Sequence, residues 1–295
     1  MADDAEHTPD ASGAQDTIRH EAEEQSVTKA TRLSARLIYE VIRRDGEEEL
    51  ERPVLSLIWS AIAAGILISF SVLAEAILRL HLPPASWSYL LENLGYSLGF
   101  VIVIFGRMQL FTENTITTVL PALARPTADC VWRVTRLWIV VLLANVAGAM
   151  TAAGFLVFTN LLPIELAQVL EDLSRHAMRF NPAEAFVAAV PAGVILAAIV
   201  WMMPSAEGNA FFIVVTFTWL IAAGDFAHIV AGSVEMGYLL WTGDLGLWPA
   251  LSRFFLPVLA GNVVGGTAIF TLLAWGQVKR EVAHEAVAET ERGTS

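Results

Sequence analysis

Leu110-Phe111-Thr112-Glu113-Asn114-Thr115 and Gly224-Asp225-Phe226-Ala227-His228 are polar clusters set inside apolar stretches, about 115 residues apart. The first is followed some thirty-odd residues later by Ala144-Asn145-Val146-Ala147-Gly148, and the second, at a similar distance, by Gly261-Asn262-Val263-Val264-Gly265-Gly266. Upstream of each lies a matching apolar opener, Ala63-Ala64-Gly65-Ile66-Leu67-Ile68 and Pro191-Ala192-Gly193-Val194-Ile195-Leu196. Each half therefore reads helix, interrupted helix, helix. Interrupted segments at corresponding places in two halves of a membrane protein point to a solute path where the halves meet.

Composition sets the class. Hydrophobic residues make up 55% of the chain and charged residues 16%, against about 25% charged in soluble domains. Apolar runs of about 20 residues, enough to cross a hydrocarbon core, fall at roughly 54–78, 90–120, 137–158, 185–203, 210–241 and 251–276. The expectation is an all-α membrane protein with six transmembrane helices, of which helices 2 and 5 are interrupted. The first fifty residues are acidic and lack an apolar core, so no removable signal peptide is expected. Cys130 is the only cysteine, which leaves no intrachain disulfide and no cysteine-based metal cluster. The net charge of −12 resides largely in the two ends and says nothing about a substrate.

With the N-terminus in the cytoplasm, the inner face holds Arg43, Arg44, Arg52, Arg125, Arg133, Arg136, Lys279 and Arg280, and the outer face Arg79, Arg175, Arg179 and Arg253. That excess favours both termini inside. Three crossings per half then make the 3+3 repeat inverted. Four regions are expected: a disordered acidic tail over 1–27, an amphipathic cytoplasmic helix over 28–50, a transmembrane pore domain over 51–280 and a cytoplasmic tail over 281–295. In the amphipathic helix Leu33, Leu37, Ile38, Val41 and Ile42 share a face flanked by arginines, a pattern suited to the membrane surface. Packing beneath the bundle as a lid is the other reading.

The breaks carry the chemistry. In hydrocarbon a broken helix survives only against protein or a water-lined cavity. The first break, near Gly106 to Thr118, holds Arg107, Thr112, Glu113 and Asn114, and the second, near Gly224 to Gly237, holds Asp225, His228, Ser233 and Glu235. Hydroxyls and half-helix N-termini suit a small anion, since both offer donors without a full charge, and conduction requires weak binding. His228 is the one histidine inside an apolar span. It either bonds the break in its own helix or shares a proton with a passing solute, as suits an imidazole. His228 with Glu235 as metal ligands lacks a third partner, so no metal or other cofactor is expected. For Glu113 and Glu235 the reading is charge pairing that braces the breaks. Arg107 snorkels toward the inner face, pairs with Glu113 or puts a fixed charge beside the path, and the cost of an uncompensated arginine at that depth favours the pair. Glu75 reads as a solvated interface residue. Asn145 with Gly148, and Asn262 with Gly265, let helices approach neighbouring backbone closely, and either amide can satisfy free backbone groups in the facing break.

This combination resembles the formate/nitrite transporter family over roughly residues 28–280, on Leu110-Phe111-Thr112, Gly224 with Phe226-x-His228, and the Asn145 and Asn262 glycine signatures. The resemblance implies an aquaporin-like fold, a homopentamer with one pore per protomer, and passage of formate, nitrite or hydrosulfide coupled to a proton at His228. It puts Thr112 on the loop of the first break and apolar constrictions at Phe100, Phe111 and Ile221. The chain departs from the family pattern at Ala227, where an acid commonly precedes the histidine, and at Gly232, where an asparagine is expected. Arg107 and Glu113 add charge, and Arg175, His176 and Arg179 are the candidates for a basic residue in the outer vestibule. The expected partners are a small anion, the bilayer of a bacterial-type inner membrane and further copies of the chain, with no nucleic acid. No nucleophile–base pair is present to suggest an enzyme. The alternatives are a pore for another small solute and a non-conducting pentameric scaffold.

Overall fold

The computed structural model describes residues 33–293, with side chains through Val282; the expected 1–27 tail lies outside the described residues. Helices account for all the regular structure described. We number them α1 Ala35–Glu51, α2 Val54–His81 and α3 Ser88–Phe105, α4 Phe111–Thr117, α5 Val119–Ala124 and α6 Ala128–Phe158. The second half supplies α7 Ile164–Ala177, α8 Pro182–Ser205, α9 Ala210–Ala223, α10 Ile229–Thr242 and α11 Leu247–Val282, whose backbone stays helical to Gly293.

Five of these, α2, α3, α6, α8 and α11, are long and apolar enough to cross a membrane, and α9 is a shorter apolar helix. The run expected over 210–241 is two helices, α9 and α10, separated by the second break. Polarity is distributed as hydrocarbon requires. Thr112, Thr115, Asn145, Thr218, Ser233 and Asn262 are buried, whereas Trp59, Phe158, Phe212 and Leu273 lie outside. Lipid cannot satisfy polar groups, so these turn inward to each other.

Two helix pairs form the frame, and small residues set their spacing. In α2 against α6, a β-carbon at Gly65 would collide with the Asn145 carbonyl oxygen, and one at Gly148 with that of Ile62. In α8 against α11, Gly193 stands in the same relation to Asn262 and Gly265 to Val190. Each pair packs backbone to backbone, as small-residue seams allow.

Helix α1 splits its apolar residues between two faces. Tyr39, Ile42 and Leu50 are buried, and Gly46 seats on the Thr117 carbonyl oxygen; Leu37 and Val41 are exposed. The helix therefore packs on the bundle, against α4 and α5, while keeping an outward apolar strip. Hydrophobic periodicity alone could not separate these faces, because both are apolar.

Candidate functional site

Each break opens with a turn, closes with an extended residue and is held by an asparagine from the last frame helix of its own half. Chain α3 ends at Phe105 with Gly106 as its cap, and α4 begins at Phe111. Asn145 Oδ1 accepts from the Phe111 backbone N–H at 2.9 Å, while its Nδ2 donates to the carbonyls of Ala61 and Gln109 at 2.8 and 2.9 Å. In the second half α9 ends at Ala223, Gly224 caps it, and α10 begins at Ile229. There Asn262 Oδ1 accepts from Ile229 N–H at 2.8 Å, and Nδ2 donates to Ala189 and Ala227 at 2.8 and 2.9 Å. A buried backbone break orphans amides and carbonyls, and one asparagine supplies an acceptor and two donors at once.

The first turn of α4 meets the second break at Thr112 and His228; Thr112, expected on the loop of the first break, is helical because the break closes at Leu110. Thr112 Oγ1 lies 2.8 Å from His228 Nε2, and both residues are buried. The Phe100 ring stands edge-on to the imidazole, centroids 5.1 Å apart. His228 is also the N-cap of α10, with Nδ1 accepting from the Ala231 N–H at 3.2 Å. That bond fixes the tautomer. Nδ1 is the bare nitrogen, so Nε2 carries the proton and donates to Thr112. A second proton on Nδ1 would remove the cap acceptor and set a cation against the positive end of the helix dipole.

Two cavities approach this contact from the two ends of α3. One, about 110 Å³, reaches His228 and Ile221 and is lined by Glu75, Tyr96, Asp225 and Glu235. The other, about 500 Å³, reaches Leu110 and Asn114 and is lined by Asp45, Glu49, Arg107 and Glu113. Of the residues expected at constrictions, Phe100 and Ile221 stand at the meeting point. Phe111 turns away and packs edge-on against Trp138 at 5.7 Å, leaving Leu110 to line the second cavity. Asn114 lies in that cavity and donates to Gln109 Oε1 at 3.2 Å.

The charged residues differ from expectation. Arg107 forms no ion pair with Glu113, nor with any other group among the described residues, and is exposed in the cavity beside Asp45. Burial pushes the Asp45 carboxyl above its usual range, and Arg107 pulls it partly back. Glu113 and Glu235 likewise have no side-chain ion pair among the described residues, and Glu113 Oε1 is buried without a partner. Asp225 does not sit against the imidazole; Arg179 and His176 hold it at 3.1 and 2.9 Å. Arg175, the third vestibule candidate, is on Glu171 and Asp244. Glu75, expected as a solvated interface residue, lines the first cavity. Arg79, one turn further along α2, lies 3.9 Å from Glu92. Sequence reasoning also missed Gln109, which ties the first break to α1 by donating from Nε2 to Glu49. No spacing signal marks that pair, which lies 60 positions apart.

The model of the formate/nitrite transporter family matches residues 36–276. The chain is 42% identical over 285 residues to inner membrane protein YfdC of Escherichia coli (strain K12), covering 93% of this chain and 91% of that protein. It is 27% identical over 243 residues to formate channel FocA of Haemophilus influenzae, covering 73% and 84%. Among solved structures it is similar to a pentameric formate channel with formate bound, with a TM-score of 0.66 at 21% identity, covering 77% of this chain and 97% of that one. An FNT family ion channel gives a TM-score of 0.71 at 16% identity, covering 81% and 98%. At these identities the structures speak for the fold.

Proposed function

The chain belongs to the formate/nitrite transporter family, and from that membership we propose that it is a membrane channel for small monovalent anions of the formate, nitrite or hydrosulfide class. The observation that carries the reading is the Thr112–His228 contact of 2.8 Å between two cavities at opposite ends of α3. A passing anion replaces Thr112 as the acceptor of the Nε2 proton, while the threonine hydroxyl offers a second donor. Both are neutral donors in an apolar neck, so they compensate for lost water without holding the ion as a fixed cation would. Phe100, packed on the imidazole, and Ile221 supply apolar walls beside it.

The same reading takes α2, α3 with α4, α6, α8, α9 with α10, and α11 as six crossings in an inverted 3+3 repeat. Its support is the repeated asparagine bonding and the repeated glycine seams. Five copies assemble in an inner membrane with both termini cytoplasmic, an arrangement supported by the pentameric relative and by the arginine distribution. The α1 cavity is then the inner vestibule and the Asp225 cavity the outer one.

Proteoliposome flux of labelled formate and nitrite, with urea as the neutral control, tests the reading. Anion flux well above empty vesicles and no urea flux is the expected result. Urea flux without anion flux would make this a pore for neutral solutes, and no flux at all would make it a scaffold.

A further inference from the structure

We propose that Glu235, together with Glu75, forms a titratable charge filter in the outer cavity, so that anions reach His228 when these carboxyls carry protons. The proposal rests on the anion-channel reading and names a control point within it. His228, Gly232 and Glu235 follow each other at i, i+4 and i+7 along one face of α10, and all three line that cavity. A β-carbon at Gly232 would collide with the Phe254 ring, so imidazole and carboxyl share one space with no side chain between them.

The other charges around Glu235 are committed elsewhere. From the α2 end and the start of α3, Arg79 faces Glu92 at 3.9 Å, and Tyr96 adds a neutral phenol. From α7 and the loop after it, His176 and Arg179 are both on Asp225, and Arg175 bridges Glu171 and Asp244. Helix α6, packed along α10, carries its charges, Asp129, Arg133 and Arg136, in its first turns only. Arg253 on α11 is exposed, and Glu113 on α4 lines the other cavity. Glu75 and Glu235 are left without a hydrogen bond or ion pair among the described residues.

The imidazole cannot offset them at low cost. Both of its nitrogens are engaged, and a second proton would break the α10 cap. An anion entering this space against two ionised carboxyls meets like charge at close range in a poorly screened site. With the carboxyls protonated it meets hydroxyl donors in place of charge. The filter therefore sets the pH dependence, and the neck sets what fits.

The test uses the full-length chain in proteoliposomes with the membrane potential clamped and nitrate as the probe. Nitrate stays an anion throughout the range, so any pH dependence belongs to the protein. On the alkaline limb each pH unit leaves about tenfold fewer filters protonated, and wild-type nitrate flux is expected to fall accordingly as outer pH rises. Glu235→Gln should flatten that limb in part and raise the alkaline flux, and the double variant Glu235→Gln with Glu75→Gln should flatten it to a change of roughly twofold or less per unit. Glu75→Gln alone should also flatten it in part. Nitrate flux with the wild-type pH profile in all three variants overturns the filter and leaves the channel intact. No anion flux in the wild type at any pH overturns the channel reading and the filter with it.

Discussion

The two breaks are built on one backbone plan and filled with different chemistry. Gly106, Arg107, Met108, Gln109, Leu110 and Phe111 correspond position by position to Gly224, Asp225, Phe226, Ala227, His228 and Ile229. The backbone bonds repeat as well. Met108 N–H reaches Val103 and Phe226 N–H reaches Ile221, both five residues back, and the asparagines close both ends alike. Arg107 and Asp225 share a left-handed conformation, φ 49° and 54°. The side chains then diverge. Leu110 gives α4 no side-chain cap, whereas His228 caps α10 with its own ring. Left-handed arginine faces Asp45 in one cavity, and left-handed aspartate faces Arg179 in the other. The frame needs only the asparagines and the glycine seams, which leaves the break side chains free to become asymmetric. The path's chemistry lies in that asymmetry.

The largest effect should come from the shared frame. Asn145→Ala and Asn262→Ala each orphan a buried amide and two carbonyls, and at about 1–3 kcal/mol per unsatisfied group each should cost about 3 kcal/mol or more. Thermal unfolding in detergent should show comparable losses in the two halves. A loss confined to one half would break the equivalence of the two.

Next come the residues that meet at the neck. His228→Ala removes a cap as well as a donor and should cost about 1 kcal/mol of stability. His228→Asn keeps a capping acceptor and should hold that stability while changing the anion flux and its pH profile. Thr112→Val caps nothing, so it should lower flux with a smaller change in melting temperature. Equal destabilisation by Thr112→Val and His228→Ala would show that the ring's cap carries no special weight.

The smallest effect concerns the left-handed positions. A non-glycine residue there costs of order 1 kcal/mol, so Arg107→Gly should be neutral or stabilising by up to about 1 kcal/mol, given that no ion pair is lost. Asp225→Gly relieves the same backbone but gives up contacts to Arg179 and His176. Those contacts are exposed and worth about 0–1 kcal/mol each, so its net effect should lie below that of Arg107→Gly. Melting temperatures of the two variants, measured side by side, decide the order.

The sequence by itself determined the class and where each break begins, at Gly106 and Gly224; the breaks close at Leu110 and His228, well short of the expected Thr118 and Gly237. Hydrocarbon tolerates only backbone that satisfies its own hydrogen bonds, and long apolar runs do so as helices; it tolerates polar clusters only against protein or a water-lined cavity, so composition and periodicity carry that information directly. The asparagine–glycine signatures were legible for the same reason. A small residue beside an amide in an apolar helix marks a close approach to backbone.

Only the tertiary structure decided which charges meet. Arg107 and Glu113 are near in sequence, but the left-handed turn at Arg107 carries the guanidinium toward Asp45 on α1. Asp225 and His228 are three positions apart, yet one bonds α7 and the other caps α10. Glu75 and Glu235 come from different halves, and only the packing of α2 beside α10 puts both on one cavity. Charge pairing depends on distances of a few ångströms between helices, and a one-dimensional pattern holds no record of them.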